Sequence, residues 1–473
     1  MAIAKTQQAA DRSLPRRLLT DTDWRFAGLR IGVLTAIGWL LLKATATPMP
    51  APDTLERLWP ETDFSRRSVE LHELDPGGPA RDGIPALVDP PMQAAARIDW
   101  LADDAPVIAV AVGGESRAYP IEILVWHEIV NDNLGGVPVA VTFCPLCNAA
   151  LVFDRRVDGQ VLEFGTTGWL RKSDLLMYDR SSFSWWQQLT GSAIIGAFTG
   201  QRLDELPAQI VGFGSFRSRH PEGLVLSRRT GYWRDYGKNP YVGYDSIQGN
   251  PLLPGKDDPR LRPMQRVLVV RNDRWARLYP LDAIGKQDPI NDRAHGLDIL
   301  VVATGSVRSV LDRERIERSR RHPAAAAFER RLDGRELNFT RIEDQIRDRE
   351  TGSNWDLFGC AESGPLAGRC LRPLPGGVHF AFAWLAFHPD SEIWVARKDG
   401  PNPGKQPPSS RRTPGPSVGR AAMLNTGSQR SPGRRRLRSL VLRFDLPATK
   451  SPRYAVSPGN DRRAAARTTP SGR

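Results

Sequence analysis

Cysteine is scarce in this chain, with four residues in 473, and their placement excludes a closed four-thiolate metal site built from two knuckles. Only Cys144 and Cys147 are separated by two residues. Cys360 and Cys370 have nine residues between them, a spacing that suits a loop-closing disulfide, and in an oxidising compartment the two are expected to pair with each other. Phosphate-binding signatures are missing as well. Gly113-Gly114 and Gly165-Thr166-Thr167-Gly168 lack both the Walker lysine and the dinucleotide fingerprint, so the glycines carry no nucleotide reading. Acidic residues are nearly absent from the last stretch. Residues 397–473 hold 18 Lys plus Arg against 3 Asp plus Glu, which leaves 48 basic and 50 acidic residues in the rest. The net charge of +13 therefore belongs to the tail, and the part that can fold is close to neutral. A nucleic-acid partner for that part has no support in its charge. The tail itself, rich in Pro, Gly, Ser and Arg, is expected to be disordered and solvated.

Long apolar runs are also missing, with one exception near the start. Arg16, Arg17, Arg25 and Arg30 precede the uncharged segment Ile31–Leu42, which is followed by Lys43 and Ala44-Thr45-Ala46. This order predicts either a cleaved signal peptide or, if Arg30 and Lys43 snorkel, a membrane anchor over residues 1–46. Both readings place the remainder in the periplasm or at the cell surface, with the membrane as a partner if the segment stays uncleaved.

What is present is a repeat. Val107–Pro120 aligns with Val267–Pro280, and the same offset pairs Ile121, Asn131, Asp132, Gly136 and Val141 with Leu281, Asn291, Asp292, Gly296 and Val301. After an Arg-rich insertion near Glu314–Arg331 the match resumes. Val157-Asp158-Gly159 answers Leu332-Asp333-Gly334, Leu162 and Phe164 answer Leu337 and Phe339, and Asp179-Arg180 with Ser184 and Trp186 parallels Asp348-Arg349 with Ser353 and Trp355. Two units of this length imply a duplicated domain spanning about residues 55–394, with copy one near 107–206 and copy two near 267–375. Within each unit, short β-branched runs separated by Gly-rich turns predict a mainly β fold (all-β or α+β) with short helices, barrel- or sandwich-like.

The second copy acts as an internal control on the chemistry. Phe143-Cys144-Pro145-Leu146-Cys147 is replaced there by Ala303-Thr304-Gly305-Ser306-Val307, and His127 by Gln287. The shared fold does not require these three residues, which makes Cys144, Cys147 and His127 the candidate site. Two thiols at this spacing can form an exchangeable disulfide, with Cys144 as the nucleophile, Cys147 as the resolving thiol and His127 as an imidazolium that lowers a thiol pKa. The same residues can ligate copper or zinc, with Met177 or His220 as further donors. A third reading is a non-enzymatic ligand-binding module in which aromatic side chains form the contact surface and the cysteines only staple a turn. Asn131, Asp132, Asp179 and Arg180 recur in both copies, which assigns them to turns and ion pairs; Met177, Trp185 and Trp186 read as core.

Trp126–Asp132, Thr142–Ala150, Met177–Arg180, His220-Pro221 with Val225-Leu226-Ser227, and Phe387-His388-Pro389 together resemble the bacterial and archaeal "domain of unknown function 3179" family over about residues 55–394. The resemblance implies export and, through relatives described as candidate selenoproteins, favours thiol-redox chemistry over structural metal. It implies no reaction and no role for His220 or His388.

Overall fold

The structure is a computed structural model that describes residues 52–252, 258–286 and 288–396. The expected signal or anchor segment, Gln287 and the Arg-rich tail lie outside the described residues. No described helix is long and apolar enough to cross a membrane.

Strands dominate, and helices are limited to short segments such as Ile121–His127, Phe213–Arg219 and Ala381–Phe387. Each copy begins with the hairpin that its alternation predicts. Pro106–Val112 pairs with Glu115–Pro120 so that Val107 faces Pro120, and in copy two Val267 faces Pro280 in the same register. Gly113 and Gly114 turn this hairpin with φ of 58° and 83°, a left-handed pair that branched side chains resist. A Cβ on Gly113 would collide with the backbone of Gly135, in the next hairpin, so these two turns nest only because both positions lack side chains.

The repeat runs further than the sequence match. In copy one, strand Ala208–Gly212, helix Phe213–Arg219 and strand Leu224–Leu226 return to the first sheet; in copy two, Gly376–Phe380, Ala381–Phe387 and Glu392–Ile393 do the same. His220 and His388 end the two helices at equivalent points, each followed by a proline that forbids further helical backbone. Each copy thus carries three antiparallel-rich sheets and a small Asp-Gly hairpin, and no described sheet closes into a barrel.

The copies interlock. The first sheet of copy one, through Val107, Ala109 and Val211, and Phe216 of the helix beside it share a core with Leu300, Val302, Ala326 and Phe328 from the second sheet of copy two. In return, strand Gly376–Phe380 of copy two lies on the second sheet of copy one, where Phe380 N–H donates to Cys147 O (2.9 Å) and Asn148 Nδ2 donates to Val378 O (3.3 Å). The copies therefore share one apolar cluster in addition to those each holds for itself, and the cysteine turn lies at their seam.

Candidate metal centre

Strand Val137–Cys144 runs into a tight turn over Pro145–Asn148 before Ala149–Asp154 pairs back on it, with Cys144 opposite Ala149. Cys147 N–H donates to Cys144 O (3.3 Å), so the turn folds the second thiol back toward the first. Asn148 completes it with φ of 50°. Both thiols are free and buried, at 1% and 0% exposure.

A third group arrives from the third sheet of copy one. Strands Phe164–Arg171 and Asp174–Asp179 form a hairpin that starts at the pair Phe164–Asp179 and closes at Arg171–Asp174. Its counterpart in copy two runs only from Phe339–Asp348 to Ile342–Gln345, so the copy-one hairpin is six residues longer. The extension carries a register shift between Thr166 and Leu170 and ends in a turn where Lys172 and Ser173 both adopt positive φ, 54° and 67°. Neither residue suits that conformation, and strain of this kind persists only where the surroundings enforce it. The turn presses Ser173 and Asp174 onto the thiols. Cys147 Sγ lies 3.4 Å from Ser173 O and 3.5 Å from Asp174 Oδ1, and Cys144 Sγ lies 3.9 Å from Ser173 O. One donor atom each from Cys144, Cys147 and Asp174 falls within 4.8 Å of the others, and all three residues are buried.

The electrostatics are those of acids crowded together. Asp174 is fully buried; although its Oδ2 accepts from Gln187 Nε2 (2.6 Å) and Leu189 N–H (2.9 Å), burial pushes its pKa up to about 6. Glu128, which ends helix Ile121–His127 with φ of 59°, has its pKa raised to about 8 by burial and by the Asp174 charge, against a hydrogen bond from Tyr241. Burial raises both thiol pKa values, and the charges of Asp174 and Glu128 push Cys144 further in the same direction. At neutral pH without a bound cation the thiols are therefore protonated.

His127 does not join this group. Its Nδ1 donates to Pro85 O (2.8 Å), which leaves Nε2 to accept from Tyr236 Oη (2.7 Å). Burial lowers its pKa to about 4, so it is neutral and supplies no imidazolium to a thiol. The structure places His127, expected as ligand or pKa modifier, away from the two thiols: the end of helix Ile121–His127 turns the imidazole toward Pro85 and Tyr236, which occupy its two ring nitrogens. Cys144, expected as the nucleophile, is buried. Met177 is core, paired across the sheet with Trp186, and His220 is a helix terminus. Sequence reasoning missed Asp174 and gave Glu128 no role. A signal for Asp174 existed in the unequal spacing from Phe164 to Asp179 and from Phe339 to Asp348.

The residues common to both copies hold the scaffold. Asn131 clamps the backbone of Phe164 with two 2.8 Å bonds, and Asn291 does the same to Phe339 at 2.8 and 2.7 Å. Asp132 accepts from Arg117 and Tyr119, as Asp292 does from Arg277 and Tyr279. Asp179 accepts from Ser181, Ser182 and Trp186, not from Arg180, which pairs instead with Asp82 and Glu163. Asp348 holds Thr351 and Trp355 in the same way.

Compared with known families, residues 81–391 match the model described as "Protein of unknown function (DUF3179)". No curated protein and no solved structure matches the chain.

Proposed function

Because the chain belongs to that family, whose description names no reaction, we propose from the geometry that this protein binds a metal ion, zinc first, through Cys144, Cys147 and Asp174. The observation that carries the reading is the convergence of two thiols and a carboxyl within 4.8 Å in a sealed site. Donors around a tetrahedral zinc with Zn–S bonds of about 2.3 Å stand about 3.8 Å apart, which fits that spacing. A bound dication displaces the protons that burial now holds on the two thiols and offsets two of the three negative charges that result, and two thiolates with one carboxylate suit a borderline-soft ion better than calcium or magnesium. The metal would tie the long copy-one hairpin to the cysteine turn and so to the copy-two strand beneath it. The protein is further read as extracytoplasmic, from its N-terminal segment. The Cys360–Cys370 disulfide supports that placement, and in such a compartment the metal would keep Cys144 and Cys147 from oxidising.

Thiol exchange at Cys144 and Cys147 is the second reading, supported by the turn that brings their sulfurs together. It is disfavoured by burial and by raised thiol pKa values, since exchange needs an accessible thiolate. Metal analysis of the chain purified from periplasm without reductant separates the two. One zinc or copper per chain in the wild type and none in Cys144→Ser is expected. A metal-free protein with a reversible Cys144–Cys147 disulfide would replace the metal reading with the redox one.

A further inference from the structure

The second cysteine pair has its own setting. Cys360 and Cys370 form a disulfide across an isolated antiparallel bridge, and the equivalent bridge in copy one joins Ser192 to Arg202. The fold makes this bridge without sulfur, so the disulfide is an addition specific to copy two. It sits on a cleft of about 660 Å³ between helix Phe213–Arg219 of copy one and the Asn354–Glu362 segment of copy two, where Arg217, Arg219, Phe358 and Cys360 form part of the wall.

Its two sulfurs are unlike. Cys370 is exposed, and Arg219 Nη2 stands 3.7 Å from its Sγ. The guanidinium is held there by Asp356, whose Oδ2 lies 3.2 Å from Arg219 Nε and whose Oδ1 accepts from the Cys360 N–H at 2.8 Å. Cys360 is buried, beside the Phe358 carbonyl. An accessible sulfur beside a fixed cation and a buried partner behind it is the division needed for thiol–disulfide exchange, because the cation favours the thiolate at one position only.

We propose that Cys360–Cys370 is a redox-active disulfide that exchanges with a dithiol partner through Cys370. A partner thiolate attacks Cys370 Sγ, the Cys360–Cys370 bond breaks, and Cys360 leaves with the electron pair and takes a proton. The partner's second thiolate then attacks its own sulfur in the mixed disulfide and releases Cys370 as a thiolate beside Arg219. Two electrons pass to this protein, the partner closes its disulfide, and the reverse sequence oxidises the dithiol again.

The test uses the full chain and resolves each cysteine by peptide mass spectrometry, so that Cys144 and Cys147 do not enter the readout. In mixtures of reduced and oxidised dithiothreitol, the folded protein is expected to reach a reversible Cys360–Cys370 equilibrium. Reduced protein should alkylate at Cys370 at least about ten times faster than at Cys360 near pH 7, a preference that Arg219→Gln lowers about tenfold, as one pKa unit dictates, and that Arg219→Lys largely restores. The Lys variant guards against a folding defect in the Gln variant. A disulfide that opens only when the chain unfolds, or a Cys370 rate that is the same in wild type and Arg219→Gln, would overturn the proposal. Neither outcome bears on metal at Cys144.

Discussion

The two copies use one set of residues for the same bonds and differ where the unusual chemistry lies. Asn131 and Asn291, Asp132 and Asp292, Asp179 and Asp348 make equivalent hydrogen bonds in equivalent places. Copy one alone adds a lengthened hairpin that drives a carboxyl onto two thiols; copy two alone adds a disulfide beside an arginine. Duplication offers a built-in contrast: what both copies keep is what the fold needs, and what one copy holds is free to serve something else.

The sharpest way to test that division is to remove Asp174, which has no counterpart. Asp174→Asn should weaken zinc binding by at least about 100-fold, beyond the 10–100-fold typical of an outer-shell partner. His127→Gln, which installs the copy-two residue, should change it less than about threefold. Competition with a chromophoric chelator measures both, and equal losses would return His127 to the site.

A smaller effect separates the shared clamps by their surroundings. Asn131 is fully buried, whereas Asn291 is exposed enough for water to replace it. Asn131→Ala should cost about 1–3 kcal/mol by stranding the Phe164 N–H and C=O, and Asn291→Ala under about 1 kcal/mol. Urea unfolding with metal bound reads the difference, and metal content should be unchanged in both.

The smallest expected effect is in pH dependence. Glu128 has a folded pKa of about 8 against 4.5 in the open chain, so the folded state holds its proton more tightly. That stabilisation is complete below pH 4.5 and disappears as pH rises through 8. Asp174 behaves alike but is finished near pH 6. The histidines whose pKa is lowered to about 3 to 4 by desolvation act in the opposite sense and lose their contribution only as pH falls below about 6.5. Between pH 6.5 and 8 Glu128 is left as the main titrating carboxyl, so metal-free protein should lose stability across that window and Glu128→Gln should flatten the slope. With metal bound the trend should weaken or reverse, because the metal competes with protons for its ligands. Thermal melts across the window decide it.

The order of alternating apolar runs, Gly-Gly and Asp-Gly turns, and the 160-residue offset from Val107 to Val267 made the β class and the duplication legible, since strand pattern and turn chemistry are local. Cys144 and Cys147 were legible as a pair because two residues of separation fix their proximity. Their third companion was not. Asp174 reaches them from 27 residues away through a hairpin whose tip position depends on a register shift and a strained turn. His127, 17 residues from Cys144 in sequence, was turned away by the direction in which its helix ends. Composition and spacing determined which residues could do chemistry; only the tertiary structure decided which of them meet, because side-chain convergence depends on long-range packing that no local pattern encodes.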